Sequence, residues 1–288
     1  MDTFVLILII LIIIIVTVLL VGFLLSLTLT QRSYLRETSS PAEVGLDFTK
    51  ISFPAKDGVQ LKGWYIPAGN SNHTVIQLHG HAGSMDPDVH YALDFHMAGF
   101  NVLMFDFRAH GRSEGNVCTF GYLERNDVLG AIECAKSQGA KWIALVGFSM
   151  GGMAAILTAP VTKDVNAVIS DGAPVRIKTA MRVWAREHNL PIWLFTLFAK
   201  LALIMASLRV GADLFKYEPV RWVHRIAPTP LMLIHGEADE FCPDFDEMEA
   251  QAVGAEIWRE PGIGHVQISQ QLPDKYKQRL IAFLNKNK

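Results

Sequence analysis

Cysteine is scarce: among 288 residues there are three, Cys118, Cys134 and Cys242. They lack CxxC spacing and are odd in number, so neither a disulfide framework nor a zinc knuckle is indicated, and a reducing compartment fits better. An excess of charge of one sign is also missing. With 26 Lys and Arg against 28 Asp and Glu, and the basic residues dispersed, the chain has no electrostatic footprint for nucleic acid. Internal repeats and low-complexity tracts are absent. Length does not demand two domains, since α/β folds often run past about 200 residues as one unit.

Apolar residues are what the chain has in abundance. They make up 50% of the sequence, which is unusual for a soluble protein, and the first 30 residues supply much of the excess. From Phe4 to Leu29 the run is uncharged and longer than the roughly 20 residues that cross a bilayer core as a helix. A secretory signal would need a basic start, a shorter apolar stretch and a small-residue cleavage site; here the early charge is Asp2, and no Cys follows the run for lipoprotein processing. The expectation is an uncleaved transmembrane anchor over residues 1–30. Arg32 and Arg36 after it, against Asp2 before it, put the bulk of the chain in the cytoplasm by the positive-inside bias. Residues 31–45, polar with Ser and Pro, read as a tether.

Beyond the tether, FTKISF and VQLKGWYIP alternate around Lys56-Asp57-Gly58 as an antiparallel hairpin would. Six short apolar runs follow, TVIQLHG, FNVLMFDFR, WIALVGFS, NAVISDG, PLMLIHG and AEIWREP, which resemble strands buried on both faces. Helical patterns lie between them, one from about Asp86 to Ala98 ending at Gly99, another with Val128, Ala131, Ile132 and Ala135 on one face ending at Gly139. Such alternation implies an α/β domain over 46–288 with a mostly parallel sheet covered by helices. The alternation breaks over about 174–220, which reads as helices with no strand between them. Its centre, Pro191 to Leu208, is apolar nearly all round, but a membrane crossing there would part Ser149 from Asp239 and His265. A helical lid is the expectation, its greasy surface lining an acyl pocket or resting on the bilayer; a plain core helix pair is the bland alternative.

Gly147-Phe148-Ser149-Met150-Gly151-Gly152 follows an apolar strand and opens a small-residue helix, the setting of a nucleophile elbow. Side chains two residues either side of the serine would collide with the adjoining strand and helix, and glycines fill both places. A serine hydroxyl needs a base to take its proton, and the base needs a carboxylate to orient it. Open α/β sheets place such groups on loops after strand carboxyl ends. Asp239, after LMLIHG, and His265, after the Gly-rich loop that follows EIW, answer that requirement. Asp171 is the rival acid, ending AVIS; Glu237 and Glu240 are nearer alternatives that an exposed loop would explain. His79 and His235 read as structural, and His73, His90, His96, His188 and His224 as surface or packing residues. The oxyanion donors expected are the amides of Met150, next to the nucleophile, and His81, with Ala82 behind it. A metal site at His79 and His81 finds no further ligand at matching spacing, so no metal and no cofactor are expected.

With HGHAGS at 79–84, DFRAHGRSEG at 106–115, GFSMGG at 147–152, IHGEADEFCP at 234–243 and GIGH at 262–265 in this order, the chain resembles serine hydrolases of the α/β-hydrolase superfamily, particularly the Bem46-like group, over roughly Phe48 to Leu284. The resemblance implies Ser149 as nucleophile, Asp239 as acid, His265 as base, and His81 and Met150 as oxyanion donors. It departs from the pattern in two places. His81 stands where Asn or Phe is frequent, and Ala109 replaces the usual glycine of the DxRGxGxS loop, which would reshape a structural turn. Acyl transfer to water from an ester, lipid-like given the anchor and the apolar lid, is the expected reaction. A peptidase, amidase or thioesterase on the same machinery stays open, as does a non-catalytic membrane-tethered binding protein.

Overall fold

The computed structural model describes residues 2–33, 39–81, 83–187, 189 and 191–288. Arg36, Ala82 and His188, and the stretch 34–38 of the expected tether, lie outside the described residues. Eight strands form one sheet: β1 (Thr49–Pro54), β2 (Gln60–Ile66), β3 (His73–Leu78), β4 (Asn101–Phe105), β5 (Trp142–Phe148), β6 (Ala167–Asp171), β7 (Leu231–Gly236) and β8 (Glu256–Glu260), in the order β1-β2-β4-β3-β5-β6-β7-β8. The first two pair antiparallel, β2 pairs antiparallel with β4, and every other pairing is parallel. Each apolar run read from the sequence is one of these strands.

Before the sheet runs α1 (Thr3–Thr30). Within and after the sheet come α2 (Val89–Met97), α3 (Glu124–Ser137), α4 (Met150–Thr158), α5 (Ile177–Glu187), α6 (Ile192–Val210), α7 (Phe245–Gln251), α8 (Ile268–Gln271) and α9 (Pro273–Lys286). Because successive strand side chains face opposite ways, the doubly buried strands feed two cores. Ile76, Leu103, Leu145, Val168 and Leu233 pack with residues of α3 and α4 on one face, and Val75, Val102, Val146, Ile169 and Met232 with residues of α2 and α9 on the other. The chain steps from β3 outward to β4, then back across β3 to β5. That reversal falls between β3 and β5, and open α/β sheets bind ligands at the carboxyl ends of the strands at such a switch.

α1 is, among the described residues, the one helix long and apolar enough to cross a membrane. Its 28 residues extend about 42 Å at 1.5 Å per residue, more than the roughly 30 Å of a hydrocarbon core. The surplus at its carboxyl end docks on α6. Gly22, Ser26 and Thr30 are buried there, and a Cβ at Gly22 would overlap the side chain of Leu201. The Arg209 guanidinium donates to the Ser26 carbonyl at 3.1 Å and to Thr30 Oγ1 at 3.0 Å. Residues 31–33 do not swing free. Arg32 donates to the carbonyls of Gly115 and Gly111 at 2.7 and 2.9 Å, and the Ser33 amide donates to the Ala109 carbonyl at 2.8 Å.

The strandless insertion is α5 and α6, between β6 and β7. Ala199, Ala202, Leu203 and Ala206 of α6 are buried, whereas Trp193 is 76% and Leu208 73% exposed, so one face is packed and apolar side chains also remain outside. α5 lies over the loop after β7: Thr179 donates to Asp244 at 3.0 Å, and Arg186 pairs with Glu240 at 2.8 Å.

Candidate active site

Ser149 sits between β5 and α4 with φ 51 and ψ −114, a left-handed backbone that costs a side-chain-bearing residue roughly 1 kcal/mol or more. What holds it there is the absence of side chains around it. A Cβ at Gly147 would overlap the backbone of Gly151, and one at Gly151 would overlap the Leu78 carbonyl at the end of β3. The Ser149 amide donates to the Asp171 carbonyl at 2.8 Å, which ties the turn to β6. α4 behind it is buried along its whole length.

The three side chains singled out from the sequence meet. His265 Nε2 lies 2.9 Å from Ser149 Oγ, and His265 Nδ1 lies 2.8 Å from Asp239 Oδ2. A carboxylate only accepts, so Nδ1 carries the proton and Nε2 presents its lone pair to the serine hydroxyl. Asp239 is buried, and its other oxygen accepts from the Phe241 amide at 2.8 Å. The imidazole of His265, 24% exposed, lies against the Phe241 ring at 4.8 Å.

Asp171, the rival acid, is engaged elsewhere: the Tyr276 hydroxyl donates to it at 2.7 Å. Burial pushes its carboxyl up to about 7, more than the Tyr276 hydrogen bond lowers it. Glu237 and Glu240 are exposed. His79 is a structural imidazole. Its Nδ1 donates to the Gly80 carbonyl at 2.7 Å, its Nε2 accepts from the Phe107 amide at 2.9 Å, and burial lowers it to about 4. His235 stacks on Phe245 with ring centroids 4.1 Å apart.

The amide of Met150 opens α4, where first-turn N–H groups have no acceptor within the helix. The loop after β3 runs beside Ser149, since a Cβ at Gly80 would stand 3.6 Å from Ser149 Cβ. His81, an exposed residue, follows in that loop with its ring stacked on Phe120 at 4.6 Å, and burial of the imidazole lowers it to about 4. In the DxRGxGxS-like turn, Ala109 itself takes φ 57, in the left-handed region that favours glycine.

Comparison with known proteins fits this geometry. Residues 73–193 match a family model described as the alpha/beta hydrolase fold. The structure is similar to that of the Pyrococcus furiosus esterase Pf2001, with TM-score 0.75 and 27% identity over 89% of this chain and 97% of that one. The chain belongs to the α/β-hydrolase superfamily. Within that superfamily it is 31% identical over 206 residues to the uncharacterized protein YfhR of Escherichia coli O157:H7, a match covering 67% of this chain and 63% of the E. coli protein's length. It is also 22% identical over 210 residues to an uncharacterized membrane protein of Saccharomyces cerevisiae, covering 72% of this chain and 68% of that one.

Two further groups around this α/β-hydrolase site escaped the sequence. His110 and Cys118 come to lie beside His81, with one ligand atom of each within 4.8 Å of the others. No periodicity links residues on three separate loops, so only the fold reveals the group.

Proposed function

We propose that the protein is a membrane-anchored serine hydrolase that cleaves carboxylic esters of acyl or lipid-like type through an acyl-enzyme. The relay from Asp239 through His265 to Ser149, with separations of 2.8 and 2.9 Å, carries this reading. As Ser149 Oγ attacks the ester carbonyl, His265 Nε2 takes its proton, and the buried Asp239 carboxylate stabilises the imidazolium. The developing oxyanion accepts from the amides of Met150 and His81. Collapse breaks the ester C–O bond, His265 returns the proton to the leaving alcohol, and a water molecule repeats the sequence on the acyl-enzyme.

An ester rather than an amide is supported by likeness to the Pyrococcus esterase. A lipid-like acyl group is supported by α1 and by the exposed Trp193 and Leu208 on the helix packed beside it. With Arg32 and Arg36 on the domain side of α1, the positive-inside bias favours a single-pass protein with its hydrolase domain in the cytoplasm.

The test is fluorophosphonate labelling and p-nitrophenyl ester hydrolysis by the full chain and by Ser149→Ala. Loss of labelling, with turnover reduced by about 10⁴-fold or more and an unchanged circular dichroism spectrum, is expected. Equal labelling of the two proteins would sink the proposal. An ester series from acetate to palmitate then reads chain-length preference.

A further inference from the structure

Beside the nucleophile, but outside the relay, three metal-ligating side chains converge from separate segments. His81 follows β3, His110 follows β4, and Cys118 precedes α3; one ligand atom from each lies within 4.8 Å of the other two. His110 is fully buried. Its Nδ1 lies 2.8 Å from the Arg108 carbonyl, which can only accept, so Nδ1 carries the proton and Nε2 holds a lone pair. That buried Nε2 has no hydrogen-bond partner among the described residues, and an acceptor stripped of water and left unpaired is costly. His79, by contrast, has both ring nitrogens engaged. His81 is exposed, with its ring 5.7 Å from that of His110 and nearly perpendicular to it at 81°.

We propose that His81, His110 and Cys118 bind a single zinc-type metal ion, which ties the loop carrying the His81 amide to the two loops behind it. Two imidazoles and a thiolate are a donor set for a borderline-soft divalent ion, with a fourth position left open. Bonds of about 2.0–2.3 Å require the donors to close to under about 4 Å of one another, and exposed His81 supplies that motion. The backbone carbonyl that fixes the His110 tautomer is the outer partner that metal-bound histidines ordinarily have. Cys118 enters as a thiol, whose proton burial holds well above its usual range. On binding, the sulfur–metal bond forms, the S–H bond breaks heterolytically and one proton leaves to solvent, with no change of oxidation state. Met150 Sδ, 3.6 Å from Cys118 Sγ, adds a soft wall to the site.

His235, Asp239 and Cys242 form a second group of ligand types. All three are buried, and Asp239 already accepts from His265 and from the Phe241 amide, so an ion there would have to dismantle the relay. The group around His81 has an exposed member, and therefore an entrance.

The experiment uses the full chain in detergent micelles, stripped with chelator and titrated with Co²⁺ as a spectroscopic stand-in for Zn²⁺. One Co²⁺ per chain is expected, with a thiolate-to-cobalt charge-transfer band that one equivalent of Zn²⁺ abolishes. Cys118→Ala removes the band, and His81→Ala, at a residue on the exposed side of the group, weakens Co²⁺ binding by about tenfold or more. Cys134→Ala and Cys242→Ala leave the band intact. Absence of stoichiometric binding, a band that survives Cys118→Ala, a band lost with Cys134 or Cys242, or wild-type affinity in His81→Ala each overturns the proposal. Circular dichroism checks each variant, and His81→Ala decides if Cys118→Ala does not fold.

Discussion

At the carboxyl end of β5 the chain is fixed by its backbone, whereas along the seam between α1 and α6 it is fixed by how side chains fit. Around Ser149 the constraint is steric exclusion: an added Cβ at Gly147 or Gly151 meets carbonyls and backbone nitrogens that cannot turn away. Along the seam, Gly22 of α1 makes room for the Leu201 side chain of α6, while Arg209 reaches Ser26 and Thr30. A backbone constraint admits few residues and leaves a signature in the sequence. A packing constraint admits many combinations and leaves almost none.

Substitution can break this contrast, and the largest effect should come from the elbow. Gly151→Val drives a side chain into the Leu78 carbonyl and should cost about 3 kcal/mol or more, or prevent folding; a thermal midpoint near that of wild type would show the exclusion to be soft. On the seam side, Leu201→Ala removes the half-buried side chain that lies against Gly22 and should cost about 1–2 kcal/mol in a denaturant titration. A loss as great as that of Gly151→Val would erase the distinction between the two regions.

Asp171, whose carbonyl holds the Ser149 amide, sharpens the contrast through pH. The native state keeps its carboxyl protonated up to about 7, whereas the ordinary value is 3.8. The native state therefore binds more protons between those limits, and its contribution to stability falls as pH rises through them. Asp171→Asn carries no charge at any pH, so its midpoint should fall less than that of wild type between about pH 5 and about pH 8. Parallel curves would refute the buried-charge account. The smallest effect is expected at Ala109→Gly. Relief of a left-handed alanine at φ 57, about 1 kcal/mol, is offset by loss of a buried methyl worth about 0.8 kcal/mol, so the midpoint should barely move.

The same contrast explains what could be read in advance. Strands buried on both faces and the GxSxG turn betray themselves by residue type, which is why the sheet was legible and why residues 149, 239 and 265 could be named before their side chains were seen to meet. The apolar character of α6 was legible too, but a helix greasy all round does not say which face meets α1. The pinning of residues 32 and 33 was invisible for another reason. It runs through backbone carbonyls of Ala109, Gly111 and Gly115, and carbonyls carry no residue signature. His110 and Cys118 gave no warning because loops, not periodic elements, bring them beside His81.

That pinning has a mechanical consequence. A span joined to its domain by a slack leash lets the domain tumble above the bilayer and sample every orientation. Here Arg32, Ser33 and Arg209 bind the end of α1 directly to the domain. The serine is then held at one height and one tilt relative to α1, and under the anchoring proposed above molecules arriving along a lipid surface would meet it from a constant direction.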